Sequence, residues 1–117
     1  MIKFEFSYDI NSDNLFLFKK GAKSKGSVEL GNLILDFDYK KNLVGLQLID
    51  ATRLISDLCD QKNVRELLEK LRECRVETKD AGGVLVIWLI LISEKKQCRI
   101  PINVPSIKYK SPALTYP

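Results

Sequence analysis

The chain has 117 residues, 45% hydrophobic and 29% charged, with six Gly and four Pro, which fits one folded domain over residues 1–117 and excludes an intrinsically disordered chain. Nineteen basic residues against 15 acidic leave a net charge of +4, mild for a nucleic-acid binder. There is no His, so His-based triads, Cys-His dyads, Cys₂His₂ zinc sites and His-ligated haem are excluded, and no catalytic residue, metal or cofactor is expected.

Ile2, Phe4, Phe6 and Tyr8 alternate with Lys3, Glu5, Ser7 and Asp9, the period of a half-buried strand. The turn-forming run from Asp9 to Asn14 leads directly into Leu15-Phe16-Leu17-Phe18, so a hairpin is expected. After the loop Lys19 to Gly26, Ser27 to Leu30 and Asn32 to Asp38 read as two strands, or as one strand bulged at Gly31. Tyr39 to Asn42 turns the chain and Leu43 to Ile49 closes an antiparallel meander, with Gly45 tolerated where another group approaches closely.

From Ala51 to Cys74 the period becomes helical. Ala51, Leu54, Ile55, Leu58 and Cys59 share one face, whereas Val64, Leu67, Leu68 and Leu71 lie nearly opposite, so two helices separated at Asp60 to Asn63 are expected. Asn63 with Glu66 has capping-box spacing. Asp80-Ala81-Gly82-Gly83 then opens Val84 to Ile92, nine apolar residues. That run falls far short of the roughly 20 a membrane helix needs and reads as a buried strand. Glu94 to Gln97 forms a hairpin tip, and Ile100, Ile102 and Val104 alternate along a return strand that Pro101 places at an edge or bulge. Ser106 to Pro117 is expected to pack as an extended tail. The fold class expected is α+β: an antiparallel β-meander, two short helices and a C-terminal β-hairpin completing the sheet. Cys59, Cys74 and Cys98 make no paired motif and read as reduced thiols. Met1 leads into the first strand without an apolar leader, so a cytoplasmic protein with no membrane segment is expected.

Tyr8-Asp9, Asp13 and Leu15-Phe16-Leu17 resemble the Tyr-Asp-x-x-x-Asp-x-Leu opening hairpin of a small prokaryotic family of unknown function. Val44-Gly45-Leu46-Gln47-Leu48-Ile49-Asp50-Ala51-Thr52 is similar to its strand-to-helix segment, Val-Gly-Ile-x-Ile-x-x-Ala-Ser. Ser111-Pro112-Ala113-Leu114 looks like the ending of longer archaeal versions. The resemblance covers residues 4 to about 55 and implies a fold rather than a chemistry.

Lys19, Lys20, Lys23 and Lys25 crowd one loop and can meet phosphates as point charges, without reading bases. The simpler reading is a solvated hairpin loop, since Phe18 is expected in the strand core and base stacking then has no platform. Asp36 with Asp38, and Asp9 with Asp13, offer paired carboxylates whose simpler reading is a solvated face and turn acceptors. The nine-residue apolar strand needs both faces covered, which points to a homodimer. The function expected is a non-enzymatic protein-interaction or regulatory module that self-associates. The alternatives are weak, sequence-independent nucleic-acid binding through the lysine loop, and a carboxylate or metal-dependent hydrolase.

Overall fold

Alternation sorts most of the first strand as expected: Phe4 is buried and Phe6 and Tyr8 are half-buried, while Lys3, Glu5, Ser7 and Asp9 alternate outward; Ile2, at the start of the apolar row, is 50% exposed. The computed structural model describes residues 2–60, 62–94 and 96–105. The expected tail from Ser106 to Pro117 and the tip residue Lys95 lie outside them. In chain order the elements are β1 (Ile2–Asp9), β2 (Asn14–Phe18), β3 (Gly26–Leu30), β4 (Leu33–Phe37), β5 (Leu43–Leu48), α1 (Ala51–Leu58), α2 (Val64–Glu69), β6 (Leu71–Asp80), β7 (Val84–Ser93) and β8 (Gln97–Pro105).

The α+β class is corrected. Of the described residues, 57% are strand and 14% helix, forming a curled antiparallel half-barrel with two short helices that is closer to all-β. Its single eight-stranded sheet has the order β3-β4-β5-β2-β1-β6-β7-β8. The first five strands are therefore not a simple meander. The chain leaves β2, crosses the ends of β5 and β4 to begin β3, and returns so that β5 pairs with β2. Gly31 is a turn residue and not a bulge: Leu30 pairs with Leu33 across it, and its φ of 62° suits the first central position of a two-residue hairpin loop.

Most of the class error sits at β6. Leu71 to Cys74 continue the helical phase of Val64, Leu67 and Leu68, yet α2 stops at Glu69 and the chain turns to strand. Arg75, Glu77 and Lys79 alternate with Cys74, Val76 and Thr78, a strand period that the helical phase of Leu71 overshadows, and the ladder with β7 from Leu71↔Ser93 to Asp80↔Leu85 supplies the stability that local propensity lacks. The capping box is also absent. Asn63 has φ 61° and makes no side-chain cap bond, and Glu66 instead accepts from Lys70 at 3.1 Å.

Two apolar ladders, Val28–Leu35–Leu46–Leu17–Phe6 and Leu30–Leu33–Leu48–Leu15–Tyr8, line the concave side. They join the inward residues of β7 and β8 and Ile55, Leu67 and Leu68 of the helices in one core. Among the described residues β8 is a sheet edge, the first of the two placements that Pro101 allowed. The outward row of β7 is partly shielded within the chain: Ile90 is buried and the Arg99 guanidinium lies 4.3 Å from the Trp88 ring centre, while Val84, Val86 and Ile92 are half-buried.

Two links hold the helices to the sheet. The N-cap of α1, Asp50, makes no side-chain cap bond, and Asp13 does this from a distance. Its carboxylate accepts from the Thr52 N–H at 3.1 Å and the Thr52 hydroxyl at 2.8 Å, and its backbone oxygen accepts from Ala51 N–H. Tyr8 donates to the same carboxylate at 2.5 Å. The second link corrects the expectation of three reduced thiols, because Cys59 at the end of α1 is disulfide-bonded to Cys98 of β8. Sequence spacing carries no information on that approach. Cys74 is free and buried, and desolvation pushes its thiol up to about 12.

Burial alone would raise the Asp13 carboxyl, but hydrogen bonds from Tyr8 and Thr52 outweigh it and hold the group below its ordinary value of 3.8. A carboxyl depressed by folding stabilises above its unfolded pKa, and that contribution disappears as pH falls through the folded one. Asp13→Ala should cost about 1–2 kcal/mol in urea unfolding at pH 7. Asp13→Asn should lose less stability than the parent between neutral pH and pH 3. The disulfide closes a separation of 39 residues, so reduction should remove about 4 kcal/mol on loop-entropy grounds, read as a lower urea midpoint in dithiothreitol.

Candidate functional site

Side chains on β2 alternate without alternating in polarity, and the structure shows which way they face. Leu15 and Leu17 are buried, whereas Phe16 is 40% and Phe18 46% exposed on the convex side. Phe18 is therefore not a core residue, and two exposed rings adjoin the lysine loop. The two rings rise from one strand about 7 Å apart.

Cross-strand register builds the surroundings. Ser27, Asp36, Gly45, Phe18 and Glu5 form one outward row across β3, β4, β5, β2 and β1. Glu29, Ile34, Gln47, Phe16 and Ser7 form the next. Between Phe18 and Asp36 the row is floored by Gly45, leaving a notch of about 280 Å³ walled also by Phe16, Val44, Lys19 and Lys20. Val44 enters that wall because the register shifts at Asp36/Phe37 against Gly45 and Leu43, making Val44 the extra residue of a bulge.

Lys19, Lys20, Lys23 and Lys25 are all exposed on the crossover from β2 to β3. Lys19 N–H donates to Val44 O at 2.9 Å and Lys25 N–H to Phe37 O at 2.7 Å, so both ends of the crossover are tied to β4 and β5 beside the notch. The β4–β5 turn, with Lys40, Lys41 and the 72% exposed Tyr39, lies at the same end of the sheet. Six lysines thus gather beside three exposed aromatic rings.

The carboxylates act as strand and turn acceptors, the simpler of the two readings, and not as pairs. Asp36 accepts from the Ser27 hydroxyl at 2.5 Å. Asp38 closes the β4–β5 turn by accepting from the Lys40 and Asn42 N–H groups, both at 2.9 Å. Burial would raise the Asp38 carboxyl, but those bonds, with Lys19 nearby, lower it. Asp9 accepts from Ser12 Oγ and Asn11 N–H, which lowers its carboxyl, while Asp13 serves α1. Among the described residues no group of three or more Cys, Asp or Glu is placed to hold a metal ion. Gly82 and Gly83 make the β6–β7 turn with positive φ. Among the described residues no helix is long and apolar enough to cross a membrane.

Phe16, Phe18 and Val44 were missed because an all-apolar run carries no face assignment, whereas the close approach expected at Gly45 is made by Asp36. The available signal is hairpin register: Tyr8 pairs with Leu15, which puts Phe16 and Phe18 on the polar face with Ser7 and Glu5.

The chain is similar to the uncharacterized protein MJ0789 of Methanocaldococcus jannaschii, 33% identical over 96 residues that cover 82% of this chain and 80% of that protein. No family model matches the chain. No solved structure matches it.

The face assignment makes a direct prediction for stability. Phe18→Ala should shift the unfolding free energy by no more than about 0.5 kcal/mol, whereas Leu17→Ala should cost about 2–5 kcal/mol, measured by urea denaturation.

Proposed function

The chain belongs to the family of that Methanocaldococcus jannaschii protein, a small prokaryotic family of unknown function, and on that premise we propose that it binds single-stranded nucleic acid without enzymatic chemistry. The convex face of β2–β5 is the binding surface. The observation that carries the reading is the exposure of Phe16 and Phe18 beside Lys19, Lys20, Lys23 and Lys25.

Two solvent-facing rings give up burial that would stabilise the fold, and a base stacked on each recovers it, worth about 1–3 kcal/mol per base. Lysines supply phosphate contacts as point charges, with no fixed donor geometry. A duplex keeps its base faces inside the stack, so a stacking platform on an open sheet selects single strands. Four phosphate contacts on a single strand give a slope of about −3 in log affinity against log salt.

Fluorescence anisotropy with a labelled single-stranded nonamer tests this. Between 50 and 200 mM salt the affinity should fall about 50-fold. Lys20, Lys23 and Lys25 replaced together by Glu should abolish binding, and Phe18→Ala should weaken it at least about fivefold. Binding indifferent to salt and to both variants would overturn the reading.

Self-association is a second reading, favoured by an apolar cleft of about 390 Å³ on the opposite side, bordered by Leu30, Leu54, Leu58, Pro101 and Ile102. Leu58 is 43% exposed there. Light scattering should then give a dimer mass that Leu58→Asp reduces to a monomer; a parent monomer at micromolar concentration would remove this reading.

A further inference from the structure

We infer that the notch over Gly45 selects guanine among the bases of the bound strand; this rests on the nucleic-acid reading above and assigns it a base preference. Phe18 and Asp36 stand on either side of Gly45 in one row, two strand spacings or about 10 Å apart. A base stacked on Phe18 with its hydrogen-bonding edge extended over Gly45 meets the Asp36 carboxylate.

Gly45 keeps that path open. A Cβ at this position would stand 3.0 Å from Asp36 Oδ2 and 3.3 Å from Asp36 Cβ, so any side chain would displace the carboxylate or fill the notch. Ser27 donates its hydroxyl to Asp36 Oδ1 at 2.5 Å, which fixes the rotamer and leaves Oδ2 directed over Gly45. Oδ1 retains a lone pair beside the one Ser27 occupies, so both oxygens can accept from a ligand. Lys19, Lys20 and Ser24 line the same notch and lie where the nucleotide's phosphate and sugar follow the base.

A carboxylate with two accepting oxygens matches two adjacent donors, and among the four bases guanine alone presents them, at N1–H and the N2 amino group. Adenine and cytosine set one amino donor beside a ring nitrogen acceptor. Uracil flanks its single N–H with two carbonyls. In each of those cases a lone pair faces the carboxylate and the match is lost.

The test is anisotropy on a labelled uridine nonamer whose central residue is guanosine, adenosine, cytidine, uridine or inosine, at one salt concentration. The guanosine nonamer should bind at least about tenfold more tightly than the other three standard ones, the scale of a bidentate contact. Inosine, which lacks the N2 amino group, should lose most of that preference. Asp36→Asn, which preserves shape, should bind all five alike while keeping the affinity for the all-uridine nonamer. Equal parent affinities with salt dependence intact, or a guanosine preference that survives Asp36→Asn, would overturn the guanine inference and leave the stacking and lysine reading standing. Absence of binding to every nonamer would overturn both.

Discussion

The face that each β2 residue takes is the constraint on which the proposed binding surface depends. β2 is paired on both sides, with Tyr8 opposite Leu15 and Leu15 opposite Leu48, so its register cannot move without flipping every side chain across the sheet. Leu15 and Leu17 complete two ladders that run through β3, β4 and β5 into the core. A one-residue slip would exchange those leucines for phenylalanines in spaces sized for leucine. The fold therefore commits two aromatic rings to solvent, and the Gly45 notch, the Val44 bulge and the lysine crossover are arranged around them.

Behind that face the scaffold is held by polar links where the hydrophobic effect gives no direction. Asp13 ends one hairpin and caps a helix 38 residues later in the chain, using hydrogen bonds from Tyr8 and Thr52. Those three residues join the first hairpin to the segment where β5 passes into α1. The Tyr8 phenol is pushed above its ordinary value of 10.0 by burial and then by its bond to Asp13. A group raised by folding stabilises below its unfolded pKa and loses that contribution as pH rises through the folded one. The link therefore operates across the neutral range, bounded by Asp13 protonation in acid and Tyr8 ionisation in base.

Elements with a clean period were legible in the sequence: β1, its hairpin, the apolar β7 and the edge strand β8 marked by Pro101. Where polarity and period separate, legibility ends. β6 alternates from Cys74 to Lys79 but buries only Cys74 and Val76, and Leu71 at its start continues a helical phase. Strand order was hidden because the β2–β5 pairing joins segments separated by a crossover that no local signal describes. The Cys59–Cys98 link was hidden for the same reason. Of the candidate site, Lys19, Lys20, Lys23 and Lys25 were visible as a charge cluster, whereas Phe16 and Phe18 needed the register of β1 against β2.

The central claim is that the convex face of β2–β5 holds a single strand. A ¹H–¹⁵N spectrum of the protein titrated with an unlabelled single-stranded nonamer tests it most directly. The account predicts shifts concentrated at residues 16–25, 34–36 and 44–47, with the amides of α1 and β8 unmoved. Shifts confined to the Leu54, Leu58 and Ile102 cleft, or a spectrum unchanged at saturating oligonucleotide, would contradict it.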